Sequence, residues 1–88
     1  MSIYAINKLF YLTENDKSFR QRIKSDPEEV LGELSLTSEE RTALTSGDVL
    51  KLFQMGVHAF LLFNLSRHEL FGVNSQNYFP RIRGQAPP

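Results

Sequence analysis

The sequence predicts an all-α fold, a small and irregular domain of five to six short helices packed orthogonally. Three observations carry that prediction. Apolar residues recur at three- and four-residue steps, beginning with Ile3, Ile6 and Phe10, which is the signature of one helical face. Helix-start grammar appears twice, at Ser25-Asp26-Pro27-Glu28-Glu29 and at Leu36-Thr37-Ser38-Glu39-Glu40. No stretch shows the β-branched alternation of a strand. The helices are too short for a regular four-helix bundle.

The first helix covers residues 3–13, with Leu9 and Leu12 beside its apolar face. Thr13-Glu14-Asn15-Asp16 is polar and reads as a turn in which Asp16 caps the next helix. Residues 17–24 set Phe19 and Ile23 four apart on one face, with Arg20, Arg22 and Lys24 outward. Asp26 then caps a third helix, Pro27 loses nothing at its first position, and Glu29 stands where a reciprocal capping box places its acid. Val30, Leu31 and Leu34 are its apolar residues. Gly32 weakens it by about 1 kcal/mol relative to Ala, so packing must hold it.

The fourth helix runs to about Thr45, its hydroxyl cap followed by acids that suit the positive end of the helix dipole. It buries Ala43 and Leu44. Gly47 ends it in a left-handed conformation, and Asp48 caps a two-turn helix made by Val49, Leu50, Leu52, Phe53 and Met55. Phe53 is assigned to the core with Phe10, Phe19, Ile23, Leu31 and Leu44.

The rest of the chain is organised around the stretch that follows. Val57-His58-Ala59-Phe60-Leu61-Leu62-Phe63-Asn64-Leu65, continued by Ser66-Arg67-His68-Glu69-Leu70-Phe71, reads as one helix of about four turns between Gly56 and Gly72. Its first half is apolar on nearly every side, where a surface helix shows one stripe. A domain of 88 residues covers one or two of those sides, and the remaining side is expected to meet another polypeptide. After Gly72, residues 73–79 make at most one turn, Pro80 prevents its extension, and the chain beyond has no periodicity. The expected domain is residues 1–83, with residues 84–88 a flexible C-terminal tail.

Composition narrows the function classes. The length suits one domain with a modest core. Cysteine is absent, which removes disulfides, thiolate zinc sites and a Cys nucleophile, and fits a cytoplasmic location. Ile3-Tyr4-Ala5-Ile6 runs into Asn7-Lys8 with no signal-peptide pattern. The nine-residue apolar run, interrupted by His58 and Asn64, falls short of the ~20 residues of a membrane span. Charge is balanced overall but not along the chain. Residues 1–50 hold six Lys/Arg against nine Asp/Glu, and residues 51–88 hold four against one. That asymmetry is too small for a nucleic-acid footprint.

No catalytic constellation is visible. His58 and His68, on one predicted helix, point about 80° apart and lack the i, i+4 spacing of a helical metal pair. Ser66 and His68 are two apart and do not face each other on a helix. There is neither a nucleophile elbow nor a Gly-rich phosphate loop. The acid pairs Glu28-Glu29 and Glu39-Glu40 each open a helix, where the dipole accounts for them. No catalytic residue and no metal ligand is therefore assigned. What is left is apolar and aromatic excess. Phe60, Phe63, Phe71, Tyr78 and Phe79 together exceed what so small a core takes in, and Arg67 beside them is a typical interface anchor.

In order, the chain presents Phe19-Arg20, Ser25-Asp26-Pro27-Glu28-Glu29-Val30-Leu31, Leu36-Thr37-Ser38-Glu39-Glu40, Ala43-Leu44, Gly47-Asp48, Gly56-Val57-His58-Ala59-Phe60-Leu61-Leu62, and Gly72 with Tyr78 six residues on. Over about residues 3–83 this resembles the LigA family, the small α subunit of protocatechuate 4,5-dioxygenase and its class II extradiol relatives. The resemblance implies a small helical subunit with no iron ligand of its own, bound over the active-site mouth of a larger catalytic β subunit, in a heterotetramer. That β subunit holds a non-haem Fe(II) and cleaves a catecholic ring with O₂. It also implies partner-facing roles for Phe60, Phe63, Arg67, His68, Phe71 and Tyr78, with His68 and Phe71 nearest the substrate mouth, so that substrate is contacted indirectly. Compared with the protocatechuate subunit, the chain lacks a long N-terminal arm, and the connection from its central helix to Gly72 and Tyr78 is shorter. Two other readings are a free-standing LigA-like recognition or leader module for a peptide-tailoring enzyme, whose substrate segment would be the Pro87-Pro88 tail, and a self-associating helical domain.

Overall fold

The outer helices form where their caps direct. A computed structural model describes residues 2–88; Met1, the start of the expected domain, lies outside the described residues. Among the described residues eight helical segments follow one another: α1 (Ser2–Asn15), α2 (Lys17–Ser25), α3 (Pro27–Gly32), α4 (Ser38–Thr45), α5 (Val49–Gln54), α6 (Ala59–Leu62), α7 (Asn64–Arg67) and α8 (Tyr78–Ile82). No strand occurs among the described residues, and none of the helices is long and apolar enough to cross a membrane. The architecture is all-α, as the periodicity predicts.

Asp16 accepts from the Phe19 N–H, Asp26 from Glu29 and Asp48 from Lys51, each satisfying a donor that the first helical turn leaves free. Thr37 and Glu40 complete a reciprocal capping box, at 3.1 and 2.8 Å. At α3 only half of the expected box forms. The Glu29 carboxylate turns instead to Arg22, which also holds Glu33 at 2.7 Å, and this clamps α3 onto α2.

One core runs through every layer. Ile6, Leu9 and Phe10 of α1 meet Ile23, Val30, Leu31, Leu44, Val49, Leu52, Leu62 and Leu65, all essentially sealed from solvent. Phe53, expected in this core, is 48 % exposed. It lies on the outer side of α5, where Val49 and Leu52 already fill the inner side.

The larger correction concerns residues 56–72. They do not form one four-turn helix. The chain turns at Phe63, whose carbonyl accepts from both Ser66 and Arg67, leaving two single-turn helices. The turn lets Leu62 and Leu65 be buried together while Asn64 reaches α1, where its amide donates to the Phe10 carbonyl at 2.8 Å.

α7 then stops in a Schellman motif. Leu70 N–H bonds back to the Leu65 carbonyl and Glu69 N–H to Ser66. The same pair of bonds closes α4 at Gly47, α5 at Gly56 and α8 at Gly84. In those three the left-handed residue is glycine. At α7 it is Glu69, with φ of +53°, and Phe71 follows at +52°. A left-handed L-residue costs roughly 1–2 kcal/mol. Glu69→Gly should therefore stabilise the fold by about 1 kcal/mol, net of the entropy that glycine adds to the unfolded chain. A rise in the urea midpoint checks this; a fall would mean that the Glu69 side chain has a structural role of its own.

α8 also departs from expectation. It begins at Tyr78 and passes through Pro80, which sits in the first turn, where a missing N–H removes no intrahelical bond. Arg81, expected in an aperiodic stretch, donates to the Gly47 carbonyl, and Ile82 packs on the core. Residues 84–88 lie along Asp48 and Leu50.

Candidate functional site

The segment between Val57 and Tyr78 holds every residue singled out from sequence, and the structure divides them into three groups. His58 opens it. Its backbone N–H donates to the Asn7 side chain, fixing α6 to α1, and its ring Nδ1 accepts from the Phe60 N–H as an N-cap. Phe60 is thereby turned outward, and at 77 % it is the most exposed large apolar side chain described.

The second group is an aromatic cluster. Phe63 meets Tyr78 edge-to-face at 5.0 Å, Tyr78 meets Phe79 in the same way at 5.2 Å, and Arg83 lies over the Phe79 ring. Phe63 keeps partial exposure. Tyr78 is only 4 % exposed, so in the free chain it belongs to the core. Burial pushes its phenol pKa above the ordinary 10.0.

The third group is ionic. Glu14, near the end of α1, receives His68 Nε2 on one carboxylate oxygen at 3.0 Å and Arg67 Nη1 on the other at 3.1 Å. His68 is 14 % exposed and Arg67 about half. The pair braces α1 against the left-handed turn that carries Phe71. Phe71 is half-buried and walls a crevice of about 160 Å³ with Ile23, Lys24, Pro27, Glu69 and Leu70.

This brace has a pH signature. The His68 hydrogen bond, aided by the positive charge of Arg67 and opposed by partial burial, lowers the Glu14 pKa from 4.5. A carboxylate with a depressed folded pKa adds stability that is complete above its unfolded value and lost as pH falls through the folded one. Glu14→Gln should therefore be less stable than wild type above the ordinary glutamate range, and the gap should narrow as pH falls below that range and through the depressed folded value. Denaturant unfolding across pH 3–6 reads this; parallel curves would contradict it.

Among the described residues no cluster of His, Asp and Glu could hold a metal. His58 and His68 have separate tasks on different elements: His58 caps α6 and His68 pairs with Glu14. What the segment offers is surface: Phe60 free, Phe63 and Phe71 half-open, and Arg67 and His68 held in fixed positions. Two further exposed aromatics, Tyr4 and Tyr11 on α1, were not singled out. Their seven-residue spacing, on the side opposite Ile6 and Phe10, was the available signal.

No curated protein matches the chain, and no solved structure does. The protein-family model for the LigA subunit of the aromatic-ring-opening dioxygenase LigAB matches residues 6–87. A match over nearly the whole length, from the second turn of α1 through α8, places this chain in the LigA family.

Proposed function

We propose that this chain is the non-catalytic α subunit of a two-component Fe(II) extradiol dioxygenase, bound over the active-site mouth of the catalytic β subunit. The single observation that supports this best is Phe60. It is a large apolar side chain held outward by a dedicated cap, in a family defined as one subunit of a pair. The iron belongs to the β subunit and supplies the ring-opening chemistry there. This chain's residues act by covering. Phe60, Phe63 and Phe71 add apolar wall to the mouth of a catechol pocket and keep water out of it. Arg67 and His68, fixed through Glu14, supply the polar rim that surrounds such an apolar centre. His68 and Phe71 stand nearest the substrate in this reading.

Co-purification tests it. A tagged chain expressed with a LigAB-type ring-cleaving subunit from the same source should elute with it as one complex containing both subunits. Separate elution at micromolar concentration would refute the reading.

A further inference from the structure

Glu14 fixes the chemistry of the His68 ring as well as its position. Its carboxyl titrates below the ordinary range, so at neutral pH it is a carboxylate, which only accepts hydrogen bonds. Nε2 of His68, 3.0 Å away, is therefore the nitrogen that carries the proton. In the neutral ring the lone pair then lies on Nδ1. Among the described residues no other hydrogen bond reaches this ring, and no side-chain nitrogen is both sealed from solvent and unpartnered. Nδ1 is thus an open acceptor on a ring that is otherwise largely covered. The other histidine, His58, already uses its Nδ1 in its own helix cap.

Charge decides what such a site takes. Arg67 and His68 would together make a carboxylate receptor if they were free. Here Glu14 lies across both, with Arg67 Nη1 at 3.1 Å from its second oxygen, and Arg67 has no other acidic partner among the described residues. The one permanent cation of the pair is neutralised from within the chain. Lys24 and Glu69, beside Phe71 in the neighbouring crevice, are of opposite sign and leave no surplus positive charge there. What stays open is an acceptor, three residues from an aromatic ring.

We infer that His68 Nδ1 is a specificity-determining acceptor, which selects ring substrates whose outward substituent is a hydroxyl or N–H donor over those carrying a carboxylate there. Glu14 is its positioning residue. This rests on the proposed function, in which this face covers the mouth of the catechol pocket. An outward donor gains a hydrogen bond at Nδ1. An outward carboxylate meets a lone pair and an ion pair with no charge to spare, and its lost hydration goes uncompensated.

Steady-state kinetics of the two-subunit complex tests it, with 3,4-dihydroxybenzyl alcohol and 3,4-dihydroxybenzoate as the probes. Wild type should favour the alcohol in kcat/KM by at least about tenfold. His68→Gln, whose amide still donates to Glu14 but offers nothing at the Nδ1 position, should bring the two within about threefold, through a higher KM for the alcohol. Glu14→Gln, which releases the charge of Arg67, should move the preference about tenfold towards the benzoate, a change of sign that lost stability cannot produce. A wild-type preference for the benzoate, or one ratio shared by all three proteins, overturns the inference and leaves the proposed function standing, because the complex has then formed and turned over. A His68→Gln complex that assembles more weakly with an unchanged ratio puts the donor on the catalytic subunit, and overturns the assignment to substrate. If the two subunits do not associate, both readings fall.

Discussion

Gly47→Ala should destabilise the chain by about 3 kcal/mol, a fall of roughly 12–24 °C in melting temperature for a domain of this size. Two independent effects add. Gly47 sits at φ +68°, a left-handed conformation that a Cβ disfavours. It is also the point where three parts of the fold converge. An added methyl group would lie 2.7 Å from the Phe71 carbonyl oxygen, 2.8 Å from Arg81 Nη1 and 2.8 Å from Val73 Cγ2. The first of these is backbone and cannot swing aside. Arg81, which bonds the Gly47 carbonyl, would have to leave it. Gly32→Ala is the matched control, because its methyl group meets nothing within 4 Å and should be neutral or slightly stabilising. Thermal denaturation followed by circular dichroism separates the two. Equal melting temperatures would mean that the left-handed turn does not pack against the α4–α5 junction.

Phe60→Ala should leave stability within about 0.5 kcal/mol of wild type and weaken binding to the catalytic subunit by roughly 30-fold. The reason is the asymmetry of its surroundings. Its backbone N–H is used by the His58 cap, while its ring has almost no cover within the chain. An aromatic anchor of that kind contributes at least about 2 kcal/mol when buried at the centre of an interface. Tyr78→Ala should behave in the opposite way. It removes the ring that Phe63 and Phe79 both pack on, so it should unfold the C-terminal end before any effect on binding could be read. Calorimetry on both variants, with melting curves alongside, distinguishes a binding residue from a structural one. Unchanged affinity for Phe60→Ala would remove that residue from the interface.

Much of this fold is legible in sequence wherever a structure is set by its immediate neighbours. Asp16, Asp26, Thr37 and Asp48 cap the helices their positions predict, because an N-cap is a bond between a side chain and a backbone two or three residues on. The left-handed Gly47 is readable for the same reason. Residues 56–72 are not, because no proline or glycine interrupts them and the pattern allows a continuous helix. The break at Phe63 and the stop at Glu69 come from distant partners: Asn64 on the Phe10 carbonyl, 54 positions away, and His68 on Glu14, also 54 away. Such bonds leave no periodic trace. Gly72 looked like the stop signal, yet the helix had already ended three residues earlier at a glutamate. Of the candidate surface, Phe60 was legible as apolar excess. The exposed α1 tyrosines leave no comparable excess, because single aromatics on the polar face of an amphipathic helix are ordinary.

The left-handed turn at Glu69 and the outward Phe60 are the two features of this chain that its own core does not account for. The most direct test is catechol cleavage by the ring-cleaving subunit, followed through repeated turnovers with and without a stoichiometric amount of this chain. The proposed role predicts faster turnover and a longer active lifetime in its presence, both lost with Phe60→Ala. Equal rates and equal lifetimes with and without the chain would contradict it.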